Sequence, residues 1–187
     1  MSFDTDRMLS ARRIMIVGGP GAGKSTTAAG LFYTLKTEGI NCEYVTEQAK
    51  NFTWEERQVT LSCQPYVFGK QMRDLWRLRN KVDVAICDSP LLLSLMYTDD
   101  SWPASFKTYV RDQFDTFDNL NFFLERGERP YNPIGRNQKL KQSQDIDRKI
   151  LGMLLDSQVD HAIIRTSDGE RIDKIKSLLL KKMIKNT

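Results

Sequence analysis

Residues Ile14–Leu35 read IMIVGGPGAGKSTTAAGLFYTL. Ile14, Met15, Ile16 and Val17 are consecutive and apolar, the pattern of a short strand buried on both faces. Glycines follow, with Pro20 and Ala22 among them. A helical pattern then runs from Gly23 to Glu38, and Gly39 is its stop signal. Gly18–Ser25, GGPGAGKS, matches G-x-x-x-x-G-K-[ST] at every fixed position, between a strand and a helix as that motif requires. Its physics is that of anion binding. Gly18, Gly19, Pro20, Gly21, Ala22 and Gly23 let the backbone wrap phosphate oxygens closely, with successive N–H groups forming a nest. Lys24, Ser25 and Thr26 stand at the positive end of the following helix. Lys24 is the candidate for the β- and γ-phosphates of ATP, and the Ser25 hydroxyl the candidate for Mg²⁺. A turn that only joined strand to helix would need neither the lysine nor the serine.

Working outward, further strands are predicted at Asn41–Glu47, Val82–Cys87, Asn119–Glu125 and His161–Thr166. Helices are predicted at Glu55–Asn80, divided at Pro65, and at Leu91–Tyr97, Pro103–Phe117, Gln142–Gln158 and Asp168–Lys185. With Arg12–Gly18, five strands alternate with helices. This predicts an α/β fold, a parallel sheet covered on both faces, in a single domain over residues 1–187. A composition 40% hydrophobic and 28% charged is that of a globular chain. No apolar run approaches the ~20 residues of a membrane span. The start MSFDTDRMLSARR has no signal-peptide core, so the expected location is the cytoplasm, with no membrane partner. Cys42, Cys63 and Cys87 are scattered, which argues against a disulfide framework or a zinc site. A net charge of +4 permits anionic substrates without marking a nucleic-acid scaffold.

The phosphate loop alone does not choose among ATPases, motors and kinases. Asp88 follows the strand VAIC, where an acid can hold Mg²⁺ through water; DSP also reads as a helix cap and first-turn proline. Glu47 closes the second strand, where a carboxylate can take a proton from an attacking hydroxyl; a solvated or capping acid fits equally. The loop RGERPYNPIGRNQK, Arg126–Lys139, is basic and carries glycine and proline, as a lid closing over transferring phosphate would. Arg136 and then Arg126 are its candidates for phosphate; a solvated basic loop is the alternative. Trp54, Trp76 and Trp102 with Phe52, Phe68 and Tyr66 read first as packing residues, with stacking on a base or aromatic substrate as the alternative, and the Gln64–Gln71 region as a substrate contact or a solvated helix face. His161 has no assigned role, and the basic tail Lys176–Lys185 reads as a packed helix with a lysine face.

Taken in order, GGPGAGKSTTAAGL, VTEQAK, AICDSPLL, FFLERGERPYNPIGR and a helix opening SQDID resemble the small P-loop kinases. The similarity is to the ribosylnicotinamide-kinase-like ATPase/kinase group of bacteria and their phages. It implies a five-stranded sheet ordered 2-3-1-4-5, ATP with Mg²⁺ as phosphoryl donor, and Asp88 and the lid arginines facing the phosphates. Deoxynucleoside kinases, more distant, place a catalytic glutamate after the second strand and a tryptophan shortly beyond, as Glu47 and Trp54 stand here. Where those enzymes carry an arginine after the acid of the third strand, this chain has Ser89 and Pro90. The resemblance implies transfer of the γ-phosphoryl group to a nucleoside, nucleotide or related metabolite. A DNA acceptor, either a terminus or a hydroxymethylated base, and a slow regulatory ATPase are the alternatives. No oligomeric state is read from the sequence.

Overall fold

The apolar run after Arg12 becomes the central strand of a five-stranded sheet. The computed structural model describes residues 12–127, 130–132, 134, 138–165 and 168–184. Arg136, with most of the predicted lid tip, and the polar N-terminus up to residue 11 lie outside these ranges. The strands are β1 (Arg12–Val17), β2 (Cys42–Val45), β3 (Val84–Cys87), β4 (Asn119–Leu124) and β5 (His161–Ile164). The helices are α1 (Lys24–Thr37), α2 (Gln48–Trp54), α3 (Gln58–Ser62), α4 (Gln64–Trp76), α5 (Leu93–Tyr97), α6 (Ala104–Asp115), α7 (Leu140–Asp156) and α8 (Asp168–Ile184). All four strand pairs are parallel, in the order β2-β3-β1-β4-β5, as the resemblance implied.

Alternation along β1 builds the two cores. Ile14 and Ile16 pack with Ala28, Leu31 and Leu35 of α1 and with Ile175 and Leu179 of α8. Met15 points the other way, to Phe68 and Leu75 of α4 and Val110 and Phe114 of α6, and Val17 meets Ile150 and Leu154 of α7. Leu31, Leu35 and Leu124 are fully buried, each worth roughly 1.5–3 kcal/mol of burial. The register aligns the strand ends: Val45 and Met15 both pair with Cys87, and Val17 pairs with Phe123. Gly18, Thr46, Asp88 and Glu125 therefore leave the sheet at one edge, the carboxyl edge where such sheets bind ligands.

Two local departures from the predicted elements have identifiable causes. β2 stops at Val45, before Glu47, because the Gln71 side chain donates to the Thr46 carbonyl (3.3 Å) and accepts the Gln48 N–H (3.0 Å). Backbone groups that would have extended the ladder are satisfied from α4, and the chain turns into α2, which the hydrophobic pattern did not predict. The break expected at Pro65 falls at Cys63 instead. Pro65 sits in the first turn of α4, where its missing N–H costs nothing. Among the described residues no helix is long and apolar enough to cross a membrane.

Candidate active site

The phosphate loop runs from Gly18 into α1. Gly21 (φ 82°) and Gly23 (φ 92°) take left-handed conformations that a side chain would resist. Gly23 is the N-cap of α1, so the first free N–H groups of that helix open into the loop. Lys24 is only 9% exposed, and its Nζ donates to the Gly19 carbonyl at 3.3 Å, within the loop's own span.

The outer side of the loop is held by three charged side chains. Asp147 of α7 accepts the Gly19 N–H through Oδ1 at 2.6 Å and pairs through Oδ2 with Arg126 Nε. Arg126 also donates to the Pro20 carbonyl at 2.8 Å. A Cβ on Gly19 would stand 2.6 Å from Asp147 Oδ1, so only glycine admits this close approach. Arg171 of α8, 2% exposed, donates to the carbonyls of Ala22 (3.1 Å) and Glu125 (2.5 Å). After β4, the Tyr131 ring lies against Gly21, and its hydroxyl donates to the Gln138 carbonyl at 2.5 Å. Arg126, a candidate for phosphate, thus stands on the flank of the loop, its Nη1 3.4 Å from where a Gly21 Cβ would be.

Asp88 is 1% exposed at the end of β3. Its Oδ2 accepts the Tyr44 hydroxyl at 2.8 Å. Its Oδ1 is buried with no partner among the described residues, an arrangement that is expensive unless a cation or its hydration shell completes it. The capping alternative for Asp88 finds no helix: α5 has Leu92 as N-cap and no side-chain cap bond. Burial first, then the charge of Asp88 and the bond to it, push the Tyr44 phenol far above its ordinary range, and the neighbouring Ser25 hydroxyl partly offsets this. Ser25 in the first turn of α1 and Asp88 after β3 offer a hydroxyl and a carboxylate at the carboxyl edge of the sheet. This donor set fits Mg²⁺, a hard cation that takes one or two protein oxygens and completes its shell with phosphate and water. Among the described residues no three His, Cys, Asp or Glu side chains cluster as an all-protein metal cage, in keeping with such a site.

A cavity of about 520 Å³ joins the phosphate loop to the space under α2–α5. Its lining includes Lys24, Ser25 and Thr26 of the phosphate loop together with Glu47, Trp54, Gln64 and Tyr97. Glu47 heads α2 in the turn that Gln71 fixes. Its negative charge, after desolvation, pushes the Tyr97 phenol up to about 12. Beneath Asp88, the fully buried Cys87 thiol is pushed up to about 12, by burial above all, which leaves it an inert packing group. Gln64 and Gln71 are 6% and 4% exposed and so do not form a solvated helix face. The aromatic residues divide: Phe52 and Phe68 are buried, whereas Trp54 is 59% exposed and opens on the cavity.

Sequence reasoning missed Tyr44, Asp147 and Arg171, and, for Gln71, the part it plays in ending β2. Tyr44 shares a face with Cys42 on a strand already recognised, and Asp147 lies in the SQDID stretch whose resemblance had been noted. The contacts of both were invisible without the fold. His161 lies at the opposite edge of the sheet, its Nδ1 2.8 Å from the Val159 carbonyl.

Residues 13–171 match the family described as AAA domain. The chain belongs to this AAA domain family. No curated protein matches it by sequence. Among solved structures it is similar to deoxyadenosine kinase from M. mycoides with bound dATP. The TM-score is 0.55 at 17% identity, over 89% of this chain and 98% of that one. The same enzyme with products dCMP and dCDP aligns at TM-score 0.57 and 16% identity, over 90% and 99%. The Mycobacterium tuberculosis APS kinase with AMPPNP and APS aligns at 0.52 and 12% identity, over 91% and 98%. At these identities the likeness establishes the fold, that of the P-loop kinases, and says nothing of the substrate.

Proposed function

We propose that this AAA domain protein is an ATP- and Mg²⁺-dependent phosphotransferase that acts on a hydroxyl of a small, nucleoside-like acceptor. The observation that carries the reading is one cavity whose lining includes both the phosphate loop and Glu47. A switch ATPase needs only the loop. The rest of the lining includes the amides of Gln58, Gln64 and Gln71, the Trp54 ring, the Glu47 carboxylate and the Lys50 ammonium, groups that suit a heterocycle bearing hydroxyls.

In this reading the loop N–H groups and Lys24 hold the β- and γ-phosphates, and Ser25 and Asp88 hold the metal. The metal, when bound, neutralises phosphate charge. Glu47 takes the proton as the acceptor oxygen bonds to the γ-phosphorus. The bond from that phosphorus to the β–γ bridging oxygen breaks, and ADP departs with the electron pair. Arg126 holds the loop through Pro20, and Arg136 is proposed, on its place in the lid sequence, as the cation that closes over the transferring group. Rate enhancement then comes chiefly from positioning and electrostatics.

The test is incubation with γ-labelled ATP and Mg²⁺ against nucleosides, nucleotides and oligonucleotides. Label on a nucleoside hydroxyl supports the proposal. Label on polymer assigns the site to DNA. Release of free phosphate indifferent to any acceptor replaces the proposal with a regulatory ATPase.

A further inference from the structure

The phosphate loop, its metal-holding serine and the strand-end acid are enough to describe the nucleotide half of the site, yet Tyr44 stands between the last two. It is the third residue of β2 and pairs in register with Ile86. Asp88 lies two residues further along β3, a distance of about 6.6 Å in an extended strand, which the length of a tyrosine side chain spans. The ring packs against Phe32 of α1, with centroids 6.5 Å apart, at the edge of the core that α1 and α8 share. Those contacts would be met by phenylalanine. The hydroxyl has a separate purpose: it is the donor to Asp88 Oδ2, at 2.8 Å.

We propose that Tyr44 is a positioning residue for the metal site, fixing the Asp88 carboxylate through Oδ2 so that the buried, otherwise unpartnered Oδ1 is presented to the hydration shell of the cation. The inference rests on the phosphotransferase reading and adds to it a residue that neither the motif nor the strand pattern assigns. The geometry gives the carboxylate two distinct oxygens. One is engaged by a neutral donor anchored in the core, and the other is held out of bulk water with no partner among the described residues. A carboxylate free to rotate would lose the directionality that outer-shell partners impose on groups around a metal.

The experiment uses the full chain with Mn²⁺ as probe, titrated by electron paramagnetic resonance in the presence of a non-hydrolysable ATP analogue. Binding of the same analogue is measured separately in excess chelator. Tyr44→Phe keeps the ring and its packing. The expected result is a Mn²⁺ affinity 10- to 100-fold weaker, the range for loss of an outer-shell partner, with chelator-phase nucleotide affinity equal to wild type. In an Asp88→Asn background the same change should add no further loss. Unchanged Mn²⁺ affinity, equal weakening with and without metal, or additive losses in the double variant would each overturn the proposal. A wild-type chain that binds no nucleotide with Mn²⁺ overturns the phosphotransferase reading itself, before any substitution is compared.

Discussion

Removing the carboxylate of Asp147 should loosen the phosphate loop from outside. That carboxylate accepts the Gly19 N–H at 2.6 Å and pairs with Arg126, and both charged side chains are 16% exposed. Hydrogen bonds to charged groups are worth about 1.5–3 kcal/mol each, and a largely buried partner left behind adds a penalty that residual solvent reduces. Asp147→Ala should therefore cost about 3 kcal/mol. For a chain of 187 residues that is a fall in melting temperature of roughly 6–12 °C. Asp147→Asn keeps an oxygen for Gly19 but not the charge for Arg126, so its loss should be about half as large. The assay is thermal unfolding followed by circular dichroism, paired with titration of an ATP analogue, whose binding should weaken as the loop loses its anchor. Melting of Asp147→Ala within about 2 °C of wild type, with unaltered analogue binding, would refute the reasoning.

Lys24→Ala should leave the fold intact and lower phosphoryl transfer by roughly 10²–10³-fold or more, the scale of a single charge-stabilising donor; normal turnover in a labelled-ATP assay contradicts the loop's role. Arg13 makes the opposite kind of prediction. Its guanidinium is 1% exposed, its Nε and Nη1 have no partner among the described residues, and burial together with the charge of Arg79 lowers its pKa to about 9. Arg13→Met should raise the melting temperature by about 2–4 °C, since a well-packed apolar replacement for a poorly compensated buried charge gains about 1 kcal/mol or more. A lower melting temperature would show that the stacking of Arg13 on Phe117 outweighs desolvation.

The parts of this protein that were legible in the sequence are those where one residue type answers one local demand. Ile14–Val17 can only be a strand covered on both sides, and the glycines and Lys24 after it announce the turn and its charge. Asp88 was legible for the same reason, as one acid at the end of four apolar residues. What was illegible depends on side chains reaching across the fold. Gln71 ends β2 from 25 residues away, and nothing in the local pattern of Thr46–Gln48 announces it. Asp147 reaches Gly19 across 128 residues. Trp54 was read as packing because hydrophobicity does not distinguish a core from the wall of a polar cavity, and the structure opens it to that cavity.

Glu47→Gln reads most directly whether Glu47 and the phosphate loop serve one reaction. The substitution preserves size and removes basicity in the cavity that the loop also lines. Turnover is measured with the best hydroxyl acceptor from the labelled-ATP panel, alongside binding of acceptor and of ATP analogue. The account predicts a fall in transfer of roughly 10²–10⁴-fold while both binding constants stay near wild type. Transfer at the wild-type rate to every acceptor would contradict it.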